Sequence, residues 1–223
     1  MRTGEKIKAF YDAMLAAYGP QHWWPAETPF EVVIGAILTQ NTNWKNVERA
    51  IANLKREGLL SPETLAKIPT EQLAEVIRPA GYYRIKAKRL KNLIEMLVRD
   101  FGGDLDALFA LRTSSLRETV LAVSGIGPET ADSIVLYAAH KAVFVVDAYT
   151  ARILYRHGVI DPDVTYEDIQ SLMQDNLPED VAMFQEYHAL LVEVGKRQCK
   201  KAAPICPGCP LAPLLEPGQP VTF

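Results

Sequence analysis

The segment Leu121-Ala-Val-Ser-Gly-Ile-Gly-Pro-Glu-Thr-Ala131 constrains this chain more than any other. A helical run ends, two glycines permit a tight turn with positive φ, and a proline opens the next helix. Such a hairpin aims backbone N–H groups outward from a helix N-terminus, where the dipole favours an anion. Gly125, Ile126, Gly127 and Thr130 are therefore candidate contacts for a DNA phosphate, held without lysine or arginine. The same residues also describe a plain helix–helix turn, and the segment alone does not separate the two.

The remaining sequence predicts an all-α protein. Ile7, Phe10, Tyr11, Met14, Leu15 and Tyr18 recur at helical spacing until Gly19-Pro20. Thr28-Pro29-Phe30-Glu31 has the pattern of a capping box and opens an apolar helix through Leu38. A polar hinge from Thr39 to Asn43 precedes a helix from Trp44 to Glu57, and two short helices lie between Ser61 and Pro79. Longer helices are expected over Ile85 to Val98, Asp104 to Leu111, Ser115 to Val123, Pro128 to Ala139, Asp147 to Tyr155, Thr165 to Asn176 and Glu179 to Arg197. Val143 to Val146 is a β-branched-rich run too short for a sheet, and it reads as a buried connector. With 223 residues, 48% of them hydrophobic, the chain can bury a sizeable core.

Net charge is −3, so no global basic field draws nucleic acid, and any DNA contact rests on local patches. The residues Met1 to Lys8 lack the apolar core of a signal peptide, and no stretch approaches the roughly 18 apolar residues of a membrane span. A cytoplasmic protein with no membrane partner is expected, and a monomer, since nothing points to an obligate protein partner. All three cysteines fall between Cys199 and Cys209, which suits a metal site better than a disulfide framework.

About twenty residues after the hairpin, Asp147 follows the buried run and starts a helix. A helix cap accounts for an aspartate there; so does a functional carboxylate. The three tryptophans, Trp23, Trp24 and Trp44, read equally as core or as an aromatic pocket, the first two running into Pro25. Arg78, Arg84, Lys86, Lys88, Arg89 and Lys91 form either a solvated basic face or a phosphate contact. His22, His140, His157 and His188 show no zinc-ligand spacing and receive no role.

Taken together, hairpin and Val146-Asp147 resemble the helix-hairpin-helix DNA glycosylase superfamily. The resemblance extends over nearly every segment to its endonuclease III branch: Leu38-Thr39-Gln40-Asn41-Thr42, Gly81-Tyr82-Tyr83 before a basic helix, and the terminal cysteines. It implies two helical domains, residues 27–143 carrying the hairpin and residues 1–26 plus 144–223 forming the other, with a DNA-binding cleft between them. It implies Asp147 as the catalytic carboxylate and Gln40 as the residue entering the space left by an extruded base. The partner implied is double-stranded DNA containing a damaged base. Cys199, Cys206 and Cys209 match three ligands of the family's 4Fe-4S motif, whereas the fourth position is Leu215. A cluster completed by another ligand, a three-iron or labile cluster, and free thiols all stay open.

Bifunctional members place a Schiff-base lysine shortly after the hairpin, at the position where this chain has Glu129. A carboxylate cannot form an imine, so a monofunctional glycosylase is expected. Trp23-Trp24-Pro25 with Trp44 resembles the 3-methyladenine glycosylase branch, in which aromatic walls hold a cationic alkylated purine. Two alternatives stand beside this reading: a bifunctional glycosylase and lyase for oxidised pyrimidines, and a non-catalytic helix-hairpin-helix DNA-binding module.

Overall fold

A computed structural model describes residues 2–221 of the chain. Among these residues the regular structure is helical, and the one β-type contact is an isolated bridge between Cys199 and Pro204. No helix is long and apolar enough to cross a membrane. The chain divides into two compact units, one of Trp24–Lys141 and one of the residues up to Trp23 with those from Ala142 onward.

The Trp24–Lys141 unit is built around α2 (Pro29–Leu38), whose residues from Phe30 to Leu38 are all buried. A helix apolar on every side belongs at the centre of a domain. Its flanking helices are α3 (Trp44–Arg56), α4 (Pro62–Lys67), α5 (Thr70–Val76) and α6 (Tyr83–Phe101). They are followed by α7 (Leu105–Phe109), α8 (Thr113–Leu121) and α9 (Pro128–Ser133). Thr28 accepts the Glu31 amide at 3.1 Å, as the capping pattern predicts. The Glu31 carboxylate takes the Glu27 amide and Lys55 instead of reaching back to Thr28. The helix expected over Pro128 to Ala139 is regular only to Ser133 and continues as a π-turn over Ile134–Ala138.

Two of the basic residues on α6 point inward. Lys86 is 1% exposed and donates to the Leu38 and Ala80 carbonyls, both at 2.7 Å. Burial and the nearby Arg89 charge lower its ammonium to about 8. Lys91 donates to the carbonyls of Leu65, Ala66 and Ile68, each at 2.8 Å, and so closes the C-terminal end of α4. These two lysines satisfy chain ends and are not part of a solvated phosphate face.

In the other unit, α1 (Thr3–Tyr18) and α10 (Ala148–Arg156) both pack against α12 (Val181–Arg197), while α11 (Tyr166–Asp175) borders the segment 143–146. Ile7, Phe10 and Met14 of α1 are fully buried, and Tyr187 on α12 donates to the Ile7 carbonyl at 2.7 Å. Gly195 sets how closely α10 and α12 approach. A Cβ at that position would stand 2.1 Å from Cδ1 of Tyr149, so any larger residue forces the helices to shift.

Val143 to Val146 are at most 5% exposed and make no helix or strand, so their backbone groups need partners from elsewhere. α11 and its first residue supply them. The Phe144 amide donates to Gln174 at 2.9 Å, the Phe144 carbonyl accepts from Gln170 at 2.7 Å, and the Val146 amide donates to the Tyr166 hydroxyl at 3.3 Å.

Candidate functional site

The hairpin joins α8 to α9. Gly125 takes φ +95°, a conformation that disfavours any side chain, and a Cβ there would meet Arg89 Cγ at 2.5 Å. Gly127 differs from the sequence expectation: at φ −97° and ψ 176° it is an ordinary extended N-cap, and nothing lies within 4 Å of where its Cβ would be. A side chain would fit at Gly127, and its absence leaves the backbone at the start of α9 exposed. Ile126 is buried and fastens the turn, its amide donating to the Val123 carbonyl at 3.0 Å.

Behind the turn, Asp132 on α9 is wholly buried and paired with Arg117 on α8, with Nε to Oδ1 at 2.6 Å and Nη2 to Oδ2 at 3.1 Å. This fork fixes the two arms of the hairpin to each other.

Gln40, two residues past α2, lies against the hairpin. Its Nε2 donates to Thr130 Oγ1 at 2.9 Å and, at 3.5 Å, to the Gly125 carbonyl, while its Oε1 accepts from Arg89 Nη1. The structure thus brings Gln40, Gly125 and Thr130 together. It adds Arg89, which spacing alone had grouped with the other α6 cations.

Asp147 is the N-cap of α10. Its Oδ1 accepts both the Thr150 amide at 2.7 Å and the Thr150 hydroxyl at 2.9 Å. Its Oδ2 faces Nε2 of His188 at 3.7 Å, a distance of electrostatic contact and longer than a hydrogen bond. Burial works against the charged carboxylate. His188 and the two Thr150 bonds outweigh it and hold the carboxyl below its usual range. The cap and the functional readings of this aspartate therefore coexist, one on each oxygen. His188, to which the sequence assigned no role, is the residue that spacing could not supply, because it lies forty-one positions downstream on another helix.

The tryptophans separate. Trp23 belongs to the unit of Asp147, its ring edge-on to His188 at 5.8 Å and beneath the Lys196 ammonium at 5.3 Å. Trp24 belongs to the other unit, edge-to-face with Trp44 at 5.4 Å and 83°, and with Tyr137 at 5.3 Å. Gly35 admits it: a Cβ there would be 3.3 Å from the indole Nε1. Trp24, Pro25 and Trp44 line an open pocket of about 160 Å³ with Glu31, Glu48 and Lys55, and the Trp44 indole donates to Glu48 at 2.9 Å. The two indoles meet at right angles and are not parallel walls.

Cys199, Cys206 and Cys209 all border one cavity, and so does Leu215, at the position expected for a fourth cysteine. Arg156 donates to Cys199 Sγ at 3.2 Å and to the Lys200 and Lys201 carbonyls, while Arg152 holds the Cys199 carbonyl at 2.8 Å. Burial pushes the Cys209 thiol up, helped by the neighbouring sulfurs of Cys199 and Cys206. Three thiols and one alkyl group offer three of the four thiolates of the usual 4Fe-4S cage, and a cluster here would need a fourth ligand from elsewhere. Among the described residues no group of three or more His, Cys, Asp or Glu side chains is placed to hold a metal ion.

The chain thus carries a hairpin between α8 and α9 with exposed backbone at Gly127, and a largely buried carboxylate that ends a Val-Asp run and caps α10. The chain belongs to the HhH-GPD superfamily of base excision DNA repair proteins, whose profile matches residues 34–179. It is a DNA glycosylase of that family, similar to endonuclease III. A Methanocaldococcus jannaschii protein assigned by name to the DNA repair glycosylases is 50% identical over 93% of this chain and 94% of its own. Endonuclease III of Thermotoga maritima is 32% identical over 81% of this chain and 79% of its own. Among solved structures, the Helicobacter pylori 3-methyladenine DNA glycosylase MagIII bound to 1,N6-ethenoadenine has TM-score 0.76 and 30% identity, covering 88% of this chain and 98% of that one. A trapped endonuclease III–DNA covalent intermediate has TM-score 0.82 and 25% identity, covering 96% of each chain.

Proposed function

We propose that this protein is a monofunctional glycosylase that removes alkylated purines, such as 3-methyladenine, from double-stranded DNA. The observation that carries the reading is the pairing of a retained Asp147 carboxylate with Glu129, exposed in the first turn of α9 where bifunctional relatives have lysine. Water attacks C1′ of the sugar, the C1′–N bond breaks, and its electron pair leaves with the base. Asp147 Oδ2 balances the positive charge that builds on the sugar and accepts the water's proton. An alkylated purine leaves easily, because its cationic ring becomes neutral on departure. No amine nucleophile takes part, so the abasic site stays unnicked. Gln40 and the exposed hairpin backbone at Gly125 and Gly127 serve as the DNA contacts, with the buried Ile126 and Thr130 holding the turn behind them.

The choice of base is supported by two observations. The Helicobacter pylori relative is named for 3-methyladenine. Trp24, Pro25, Trp44 and Glu48 line a pocket whose electron-rich rings and carboxylate suit a cationic ring, its one cation, Lys55, being paired with Glu31 and Glu27. In methylated duplex DNA the expected products are free 3-methyladenine and an intact strand. Borohydride added during turnover should trap no protein–DNA adduct. A trapped adduct with nicking of oxidised-pyrimidine DNA would favour the bifunctional reading, and binding without release of any base would favour an inert module.

Arg152 and Arg156 hold the cysteine loop in this fold, so its role is structural. Iron and sulfide analysis of anaerobically purified protein is expected to find less than a full four-iron complement, since one corner offers no donor. A full complement, with all three thiols protected from alkylation, would require a ligand from outside the loop.

A further inference from the structure

We infer that His188 is a positioning residue for Asp147: from α12 its imidazole faces the one carboxylate oxygen that Thr150 does not use, and keeps that oxygen charged and aimed. The inference deepens the proposed function and rests on Asp147 being the catalytic carboxylate.

The two oxygens of Asp147 have different surroundings. Oδ1 is committed to the backbone and hydroxyl of Thr150, the work of a helix cap. Oδ2 meets the imidazole Nε2 at 3.7 Å, with His188 only 5% exposed. Because water is largely excluded there, charge and dipole act across that gap with little screening. The imidazole is itself held: the edge of the Trp23 indole packs on it, and Lys196, eight residues further along α12, stands over the other ring of that contact. Close approach of α10 and α12, permitted by Gly195, brings the two side chains into range.

Burial alone would push the Asp147 carboxyl up and favour its protonated form. The ionised form is the active one, so a group that lowers this carboxyl extends activity toward acid. The acids of α12 are engaged elsewhere, Glu193 with Arg197 and Glu186 with the Gln21 amide, and the nearby cations have engagements of their own. Lys196 of α12 sits on Trp23, Arg152 of α10 binds the Cys199 carbonyl, and Lys6 of α1 binds the His157 carbonyl. None of these stands in for an imidazole at Oδ2.

The test is the pH profile of single-turnover base release from methylated duplex DNA, run on wild type, His188→Phe, His188→Gln and Asp147→Asn. His188→Phe should move the acid limb to higher pH, with a rate loss of about tenfold at the old limb that recovers at alkaline pH, and with KM unchanged. His188→Gln, which keeps a polar donor in place of the imidazole, should move the limb less, and it carries the test if the Phe variant does not fold. A wild-type limb in both variants, or in Gln alone if Phe does not fold, overturns the inference even if melting temperatures fall. That outcome is distinct from an active Asp147→Asn variant, which would bring down the reading of Asp147 and this inference with it.

Discussion

Asp147→Asn is expected to slow base release by more than about a hundredfold while leaving the melting temperature unchanged. The two effects separate because the residue does two jobs with two oxygens. Asparagine caps a helix about as well as aspartate, so the Thr150 amide keeps its acceptor and α10 keeps its start. What is lost is the negative charge at Oδ2, the atom assigned to the developing charge on the sugar. Asp147→Ala should be equally inactive and, lacking the cap, less stable by about 1 kcal/mol. Single-turnover kinetics with thermal unfolding on both variants checks this. A rate within tenfold of wild type for the Asn variant would mean that the carboxylate is not the group that matters.

Arg117→Met is expected to be the most damaging single change to the fold outside the hydrophobic core. It leaves the Asp132 carboxylate, wholly buried on α9, without its guanidinium fork. Removing one partner of a buried ion pair costs about 3–5 kcal/mol, or a fall in melting temperature of roughly ten degrees for a chain of this size. The loss falls on the hairpin, since α8 and α9 are its two arms. DNA affinity should drop with stability, more steeply than after a core mutation of equal cost. Replacing both partners, Arg117→Met with Asp132→Leu, should recover much of the lost stability, because no charge then remains to be solvated. If the double variant is no better than the single, the damage comes from packing around Arg117 and not from the loss of the ion pair.

The contrast between these residues explains what sequence could and could not convey. Helices announce themselves locally: Thr28-Pro29 marks the start of α2, Gly19 and Gly102 follow the ends of α1 and α6, and apolar residues at helical spacing fill the stretches between. The hairpin and Asp147 were legible for the same reason, each being a short run whose backbone chemistry is specific. Arg117 and Asp132 are fifteen residues apart on different helices, and Arg89 finds Gln40 across forty-nine. Nothing in a linear pattern distinguishes such a pair from two solvated charges. Lys86 reads as one more member of a basic face until the structure shows it inside, bonded to two carbonyls. Adjacency also says little about packing partners, since Trp23 and Trp24 are neighbours in the chain yet belong to different units.

The connector of residues 143–146 works as a ruler. With side chains buried along all four residues and backbone groups held from α11 and its first residue, the run cannot slide. Extended chain advances about 3.3 Å per residue, more than the length of the bonds that seat the carboxylate. The number of residues between the Phe144 bonds to α11 and Asp147 therefore fixes where the carboxylate meets His188. Substitutions that preserve this count can be absorbed by repacking, whereas a one-residue insertion or deletion would carry the acid away from His188.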